Sequence, residues 1–303
     1  LLTLLVDSAS LIYRAFFSVP DTIRAPDGMH VNAAYGFINM LSRLVSAYDP
    51  SHFACAWDDD WRPEWRVELL ESYKTHRLDL PASPELDEQM PVIEELLALA
   101  GVAVVGAESY EAEDVIGALI ERAQGGDNPG KVAIVSGDRD LFQLVRDPDV
   151  FVLYPRHGVS DLLVVDEKEI TRKYGIPGRR YGDFALLRGD PSDGLPGVKG
   201  IGEKTAATLI STYGSLEAVI AAAISATPAG PLAKVASSLD YIDRAAQVVF
   251  ITGDAPIGAP DITRPRGPAG PKLAKVAKRY GLDGPCRRLA AALEGKQTTT
   301  EHE

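Results

Sequence analysis

The chain has 303 residues, 46% of them hydrophobic, with 43 acidic against 31 basic side chains and a formal net charge of −12. That length and apolar content support a sizeable buried core, and the two cysteines, Cys55 and Cys286, form neither a disulfide framework nor a metal-ligand spacing, which fits a reducing cytoplasm. The opening Leu-Leu-Thr-Leu-Leu-Val run is broken by Asp7, too soon for a signal sequence or a membrane span.

Apolar runs at 2–6, 53–57, 102–105 and 132–135 alternate with helical patterns at 32–47, 85–100, 112–124 and 139–146, the grammar of a parallel α/β sheet. Runs at 150–154 and 161–165 read as further strands, paired as a hairpin turned at His157-Gly158. From residue 166 the texture is helical: 166–174, 179–188, 203–212, 215–224 and 231–248. The stretch 253–271 is rich in Pro and Gly and reads as a linker or wrapping segment. A last helix, 272–294, is interrupted between Gly281 and Pro285, and a polar tail over 296–303 is expected to be disordered. The whole reads as one large α/β domain with an appended helical region.

Short acidic clusters punctuate this pattern: Asp7, Asp58, Glu111 with Glu113 and Asp114, Asp138 with Asp140, and Asp190 with Asp193. Asp7, Asp58 and Asp138 each follow a strand-like run, and in open α/β sheets ligands bind at that end of the strands. Singly, each acid is more economically a cap or a turn residue. Jointly they bring up to nine carboxylates to one region, where like charges raise each other's pKa values unless divalent cations such as Mg²⁺ or Mn²⁺ neutralise them. So many acids reserved for ligation also weaken the argument from net charge against a nucleic-acid partner.

Two further segments suit a phosphate backbone. The glycines of Gly197-Val198-Lys199-Gly200-Ile201-Gly202 permit a tight turn before a helix that opens Glu203-Lys204-Thr205, so exposed N–H groups between two lysines can cradle one phosphate. The alternative is an ordinary helix-connecting turn. If 62–77 is helical, Arg66, Tyr73 and Arg77 fall within about 20° of one face, with Lys74 close by, a cationic stripe with an aromatic platform for single-stranded DNA. A solvated helix face explains that spacing equally well.

These residues resemble the 5′-nuclease domain of bacterial DNA polymerase I and its stand-alone flap endonuclease relatives. The resemblance rests on Leu-Val-Asp at 5–7, Tyr-Arg-Ala-Phe at 13–16, Ala-Tyr-Gly-Phe at 34–37, Tyr-Lys-Thr-His-Arg at 73–77 and Tyr-Glu-Ala-Glu-Asp at 110–114. It continues through Ser-Gly-Asp-Arg-Asp at 136–140 and the run from Gly189 to Ala206, covering residue 1 to about 225. It implies a PIN-like parallel-sheet nuclease core over 1–165, with a helical arch near 60–95. It also implies a helical DNA-binding region over 166–295, containing a helix-three-turn-helix near 179–225. By position, Asp7, Asp58, Glu111 and Glu113 would serve a first cation, and Asp138, Asp140, Asp190 and Asp193 a second, with Asp114 close to both. Arg14, Lys74 and Arg77 would face the scissile phosphate and Tyr73 a base. Two or three divalent cations are implied, with K⁺ at the helix-three-turn-helix. The implied enzyme is a monomeric, bacterial, nucleoid-associated nuclease acting on DNA with 5′ flaps, nicks or gaps and on RNA-primed 5′ ends, away from membranes. Glu113 stands where many bacterial members carry Asp, and Ser8 where Gly is usual.

Two other readings remain at this point: a junction-binding protein that has lost its metals, and a metal-dependent phosphatase for small phosphoesters. The complete set of acids speaks against the first, and the second leaves the glycine hairpin without a purpose.

Overall fold

The computed structural model describes residues 1–79, 83–126, 129–225, 227–267 and 270–295; the tail expected over 296–303 lies outside them. Six strands, β1 (Leu2–Asp7), β2 (His52–Ala56), β3 (Ala103–Val105), β4 (Lys131–Val135), β5 (Val150–Pro155) and β6 (Leu162–Val165), form one sheet in the order β3-β2-β1-β4-β5-β6. The first five are parallel, and β6 runs antiparallel to β5 as the far half of the expected hairpin. The strand interiors are apolar and buried because both faces of the sheet are covered. Leu4, Val6, Phe53 and Cys55 pack towards the helices Ser8–Ser18, Asn32–Tyr48, Met90–Leu99 and Asp283–Glu294. Leu5, Ala54 and Ile134 pack on the other face, beneath the helix Ala112–Gln124 and the helical region that includes Tyr181–Arg188.

The linker expected at 253–271 wraps the sheet. The Phe53 amide donates to the Ile262 carbonyl at 2.7 Å, and the Arg264 amide to the Ser51 carbonyl at 3.1 Å. The expected last helix is interrupted, but only over 280–282: it divides into Pro271–Arg279 and Asp283–Glu294, with Gly281 at φ +69° in the break and Pro285 inside the second helix. Among the described residues no single helix is long and apolar enough to cross a membrane.

Several long helices are shorter in the structure. The helix expected at 85–100 is two, Pro84–Asp87 and Met90–Leu99, because Pro91 lacks the N–H needed to continue a turn and instead opens the second. The one expected at 231–248 divides into Pro231–Ala236 and Leu239–Val249, and 139–146 is a short 3₁₀ turn, Asp140–Leu144. The change with most consequence is at 62–77. Its α-helix covers only Glu64–Leu69, the chain then turns, Lys74 takes φ +50°, and a 3₁₀ turn follows at Thr75–Asp79. No common helix face therefore joins Arg66, Tyr73 and Arg77.

Candidate metal centre and nucleic-acid interface

The parallel order places the carboxyl ends of β2, β1 and β4 side by side, and the acids gather there. Asp7 ends β1 and caps the helix Ser8–Ser18, one oxygen accepting from the Ser10 amide at 3.1 Å. Its other oxygen accepts from the Ser136 hydroxyl, which in turn accepts from the Asp138 amide at 2.8 Å. The loop after β4 is thereby tied to the end of β1. Asp138 accepts from the Asp140 amide at 2.9 Å. Asp58 accepts from the Ala112 amide at 2.7 Å, which fixes the start of the helix carrying Glu113. The turn with Asp190 and Asp193 docks from the helical region: the Lys74 amide donates to the Asp193 carbonyl at 2.9 Å. At Gly194 (φ +69°), beside that contact, a Cβ would stand 2.1 Å from the Ser72 carbonyl oxygen, so the docking needs glycine.

The electrostatics follow from this crowding. Burial, with the charges of Asp58 and Asp138, pushes Asp7 up to about 7 despite the Ser136 bond. Asp140 is held well above the usual carboxylate range by burial and by Asp138, Asp193 and Asp190. Glu113 is raised in the same way, by burial and then by Asp138, Glu111 and Asp193 against the pull of Lys74. Burial also raises Asp138, with Asp193 and Asp190 adding to it. Eight acids, Asp7, Asp58, Glu111, Glu113, Asp138, Asp140, Asp190 and Asp193, thus act on one another. Among the described residues, the Glu113 and Asp140 carboxylates have no hydrogen-bond or ion-pair partner. Unpaired crowded carboxylates are the donor set for a hard divalent cation, and nothing in the set is nitrogen or sulfur. The residues therefore fit Mg²⁺ or Mn²⁺.

The chain's own cations also stand among these acids, and among the described residues no three acids converge closely enough to chelate an ion. The Lys74 ammonium is bonded to Glu111. Burial alone would lower its pKa, but Glu113, Glu111 and Asp193 raise it. Arg77 pairs with Asp193 at 2.5 Å and Arg188 with Asp190 at 3.3 Å.

Glu111 and Asp114 lie deeper than the rest. Arg66 donates to both Asp114 oxygens at 2.8 Å each and to Glu111 at 2.5 Å, and the Tyr73 hydroxyl donates to Glu111 at 2.6 Å. Arg66 is 1% exposed, Tyr73 2% and Asp114 0%. Asp114 further accepts from the Thr252 amide at 3.2 Å, so its oxygens face protein donors rather than the shared carboxylate region. Arg66 and Tyr73 were expected on a DNA-facing stripe; the structure buries both because the helix ends at Leu69 and folds them onto Glu111. Arg14 is half-buried, donating to the Pro155 carbonyl at 3.2 Å beside Gly137.

The glycine hairpin is anchored from below and open above. Val198 and Ile201 are buried, whereas Lys199, Gly200, Gly202 and Lys204 are exposed and Thr205 is half-buried. Gly197 and Gly200 have φ of +69° and +79°, and Gly202 caps the helix Glu203–Tyr213 with nothing within 4 Å of where a Cβ would be. The next helix, Leu216–Ile224, turns away at 88°. Sequence reading did not single out Ser10, Ser136, Arg188 or Lys234, which donates to the Gly200 carbonyl at 2.8 Å. Only Ser10 carried a local signal, three residues after a strand-end Asp.

Residues 2–175 match the profile of the 5′-3′ exonuclease N-terminal resolvase-like domain, and residues 176–266 that of the 5′-3′ exonuclease C-terminal SAM fold. The chain is 46% identical to a 5′-3′ exonuclease of Streptomyces coelicolor, covering 96% of this chain and 99% of that one. It is 41% identical to a 5′-3′ exonuclease of Mycobacterium tuberculosis, over 96% and 97%. Against DNA polymerase I of Mycobacterium bovis the identity is 42% over 72% of this chain, which spans 24% of the polymerase. Among solved structures, the bacteriophage T5 flap endonuclease in a pseudo-enzyme-product complex with DNA and metal ions superposes with a TM-score of 0.66 at 17% identity, over 97% and 100% of the two chains. The T5 5′-exonuclease with bound zinc gives 0.65 at 19% identity, over 82% and 89%.

Proposed function

The chain belongs to the 5′-3′ exonuclease family, and on that footing we propose that it is a structure-specific 5′ nuclease that hydrolyses phosphodiester bonds of flapped, nicked or gapped DNA with divalent cations. The observation that carries this reading is the gathering of crowded carboxylates at the ends of β1, β2 and β4, beside Lys74 and Arg77 and on the same chain as an open glycine hairpin. In this reading the core is PIN-like, and residues 60–95 form the arch over the site.

Asp7, Asp58, Glu113, Asp138, Asp140, Asp190 and Asp193 would hold two Mg²⁺ or Mn²⁺ ions, and Glu111 would join them once Lys74 turns to the substrate. Such ions supply positive charge that makes an attacking water more acidic and stabilises the leaving oxygen. The chain's residues do the rest. Lys74 and Arg77, already drawn to this region by its acids, add positive charge where the scissile phosphate gains negative charge. Arg14 supplies a further cation at the loop after β4. Arg66 and Asp114 hold the first turn of the helix Ala112–Gln124, so that Glu113 faces the other acids. Lys199, Lys204, Thr205 and the amides after Gly200 grip one duplex phosphate, and K⁺ held by hairpin carbonyls would stiffen that grip. The protein would work as a bacterial cytoplasmic monomer at the nucleoid, and RNA-primed 5′ ends fall within the same substrate class because the grip is on phosphates.

Incubation with Mn²⁺ and a 5′-labelled flap duplex tests this directly. Release of the labelled flap as short oligonucleotides is expected. Binding without any cleavage would favour the metal-free junction binder, and cleavage of small phosphoesters alone the phosphatase.

A further inference from the structure

Residues beyond 266 lie outside both family profiles. Between 270 and 295 they carry six basic side chains, Lys272, Lys275, Lys278, Arg279, Arg287 and Arg288, against two acids, in a chain whose net charge is −12. All six are exposed. Every ion pair among the described residues takes its cation from residue 264 or earlier, so these six are not neutralised within the fold. On the helix Pro271–Arg279, Leu273 and Ala277 are buried while Lys272, Lys275 and Arg279 fall within about 60° of one another on the outer side.

The fold sets the direction of this surface. The helix Asn32–Tyr48 starts beside the helix that Asp7 caps: the Asn32 side chain donates to the Phe16 and Val19 carbonyls at 2.9 and 3.2 Å. It ends beside the start of β2. The helix Asp283–Glu294 lies along it, Arg288 donating to Asn39 at 2.9 Å. Gly281, just before that helix, packs by Arg24 and Pro26 in the loop that precedes Asn32, whereas Gly295 lies by Arg264 near the opposite end. Lys278, Arg279 and Arg287 therefore stand towards the carboxylate end, on the face of the sheet opposite the helical region that holds the glycine hairpin.

We propose that the exposed basic face of the helices Pro271–Arg279 and Asp283–Glu294 binds the second duplex arm of a flapped or nicked DNA, the arm that the glycine hairpin does not hold. The inference rests on the proposed nuclease function, since a junction has two duplex arms and a site between them needs a phosphate-binding surface on each side. A duplex phosphate backbone is the occupant that dense, unpaired positive charge on an otherwise acidic protein fits, and it requires no base-reading groups.

The test is the combined variant Lys275→Ala, Lys278→Ala, Arg279→Ala and Arg287→Ala in the full chain, with thermal unfolding to establish that it folds. Binding is measured in EDTA, over a range of salt, to a 5′-flap duplex carrying both arms and to a 5′-overhang duplex lacking the second arm. The expected result is a loss of about tenfold or more in affinity for the two-armed substrate, and a salt slope shallower by roughly four, one for each contact removed, with the one-armed substrate unchanged. Equal losses on both substrates, or no loss on either, overturn the proposal. If the variant does not fold, the single substitutions Lys275→Ala and Lys278→Ala are read the same way, each expected to reduce the two-arm slope by roughly one. Wild type that binds both substrates without cleaving the flap in Mn²⁺ would instead sink the nuclease reading, so the two failures are distinguishable.

Discussion

Arg66 holds Asp114 through two parallel hydrogen bonds of 2.8 Å, both side chains at or below 1% exposure. The pair fixes where the helix Ala112–Gln124 begins, since Asp114 also completes a capping box with Glu111. Arg66→Ala leaves the buried Asp114 carboxylate without a cation, while Glu111 keeps Lys74 and Tyr73, and the expected loss of stability is about 3–5 kcal/mol. Chemical denaturation measures it. A loss below about 1 kcal/mol, together with a shallower salt slope for DNA binding, would restore Arg66 to the DNA surface.

Crowding of the acids makes stability depend on pH in a stated direction. Asp7 titrates near 3.8 in an ordinary setting and at about 7 in the fold, so between those values the folded state binds more protons than the unfolded chain. Stability of the metal-free protein should therefore fall as pH rises through that window. Glu113, Asp138 and Asp140 shift the same way. Thermal unfolding in EDTA should give a higher Tm at pH 5 than at pH 8, and Mg²⁺ should raise Tm far more at pH 8 than at pH 5. A Tm insensitive to both would mean the carboxylates do not share a site.

The hairpin prediction separates grip from chemistry. At Gly200 the φ of +79° and the approach of Lys234, 2.8 Å from where a Cβ would be, make Gly200→Val a local distortion. Combined with Lys204→Ala it should weaken duplex binding and reduce the salt slope by roughly one contact for the lysine. Unchanged binding with lost cleavage would remove the hairpin from the interface.

Lys74 and Arg77 are predicted to act on the rate rather than on affinity. Under single-turnover conditions, Lys74→Ala and Arg77→Ala should each slow flap cleavage by roughly 10²-fold, the scale for removing a transition-state stabiliser. Lys173→Ala, exposed on the helix Glu167–Tyr174, is the control and should leave the rate nearly unchanged. Equal small effects at all three would leave Lys74 and Arg77 as counter-ions only.

The α/β sheet was legible in the sequence because buried parallel strands are short apolar runs, and an Asp directly after such a run marks the strand end whatever packs around it. The hairpin was legible because glycine at positive φ is a local requirement. The segment 62–77 was not. A helical wheel assumes an unbroken helix, and the turn that buries Arg66 and Tyr73 is set by Glu111 and Asp114, more than thirty residues away, and by Arg62, which donates to the Tyr73 carbonyl at 2.7 Å. The ion pairs of Lys74 with Glu111 and of Arg77 with Asp193 were hidden for the same reason, since each joins elements that only tertiary packing brings together.

In the proposed mechanism, the carboxylates at the strand ends hold the cations that drive phosphodiester cleavage. Single-turnover cleavage of a 5′-flap duplex by Asp138→Asn, at saturating Mn²⁺ and with flap affinity measured in parallel in EDTA, tests it most directly. The substitution removes one charge from the crowded set and leaves the hairpin, Lys74 and Arg77 in place. A rate at least about 10²-fold below wild type is expected, with affinity preserved. Cleavage within about threefold of wild type would contradict it.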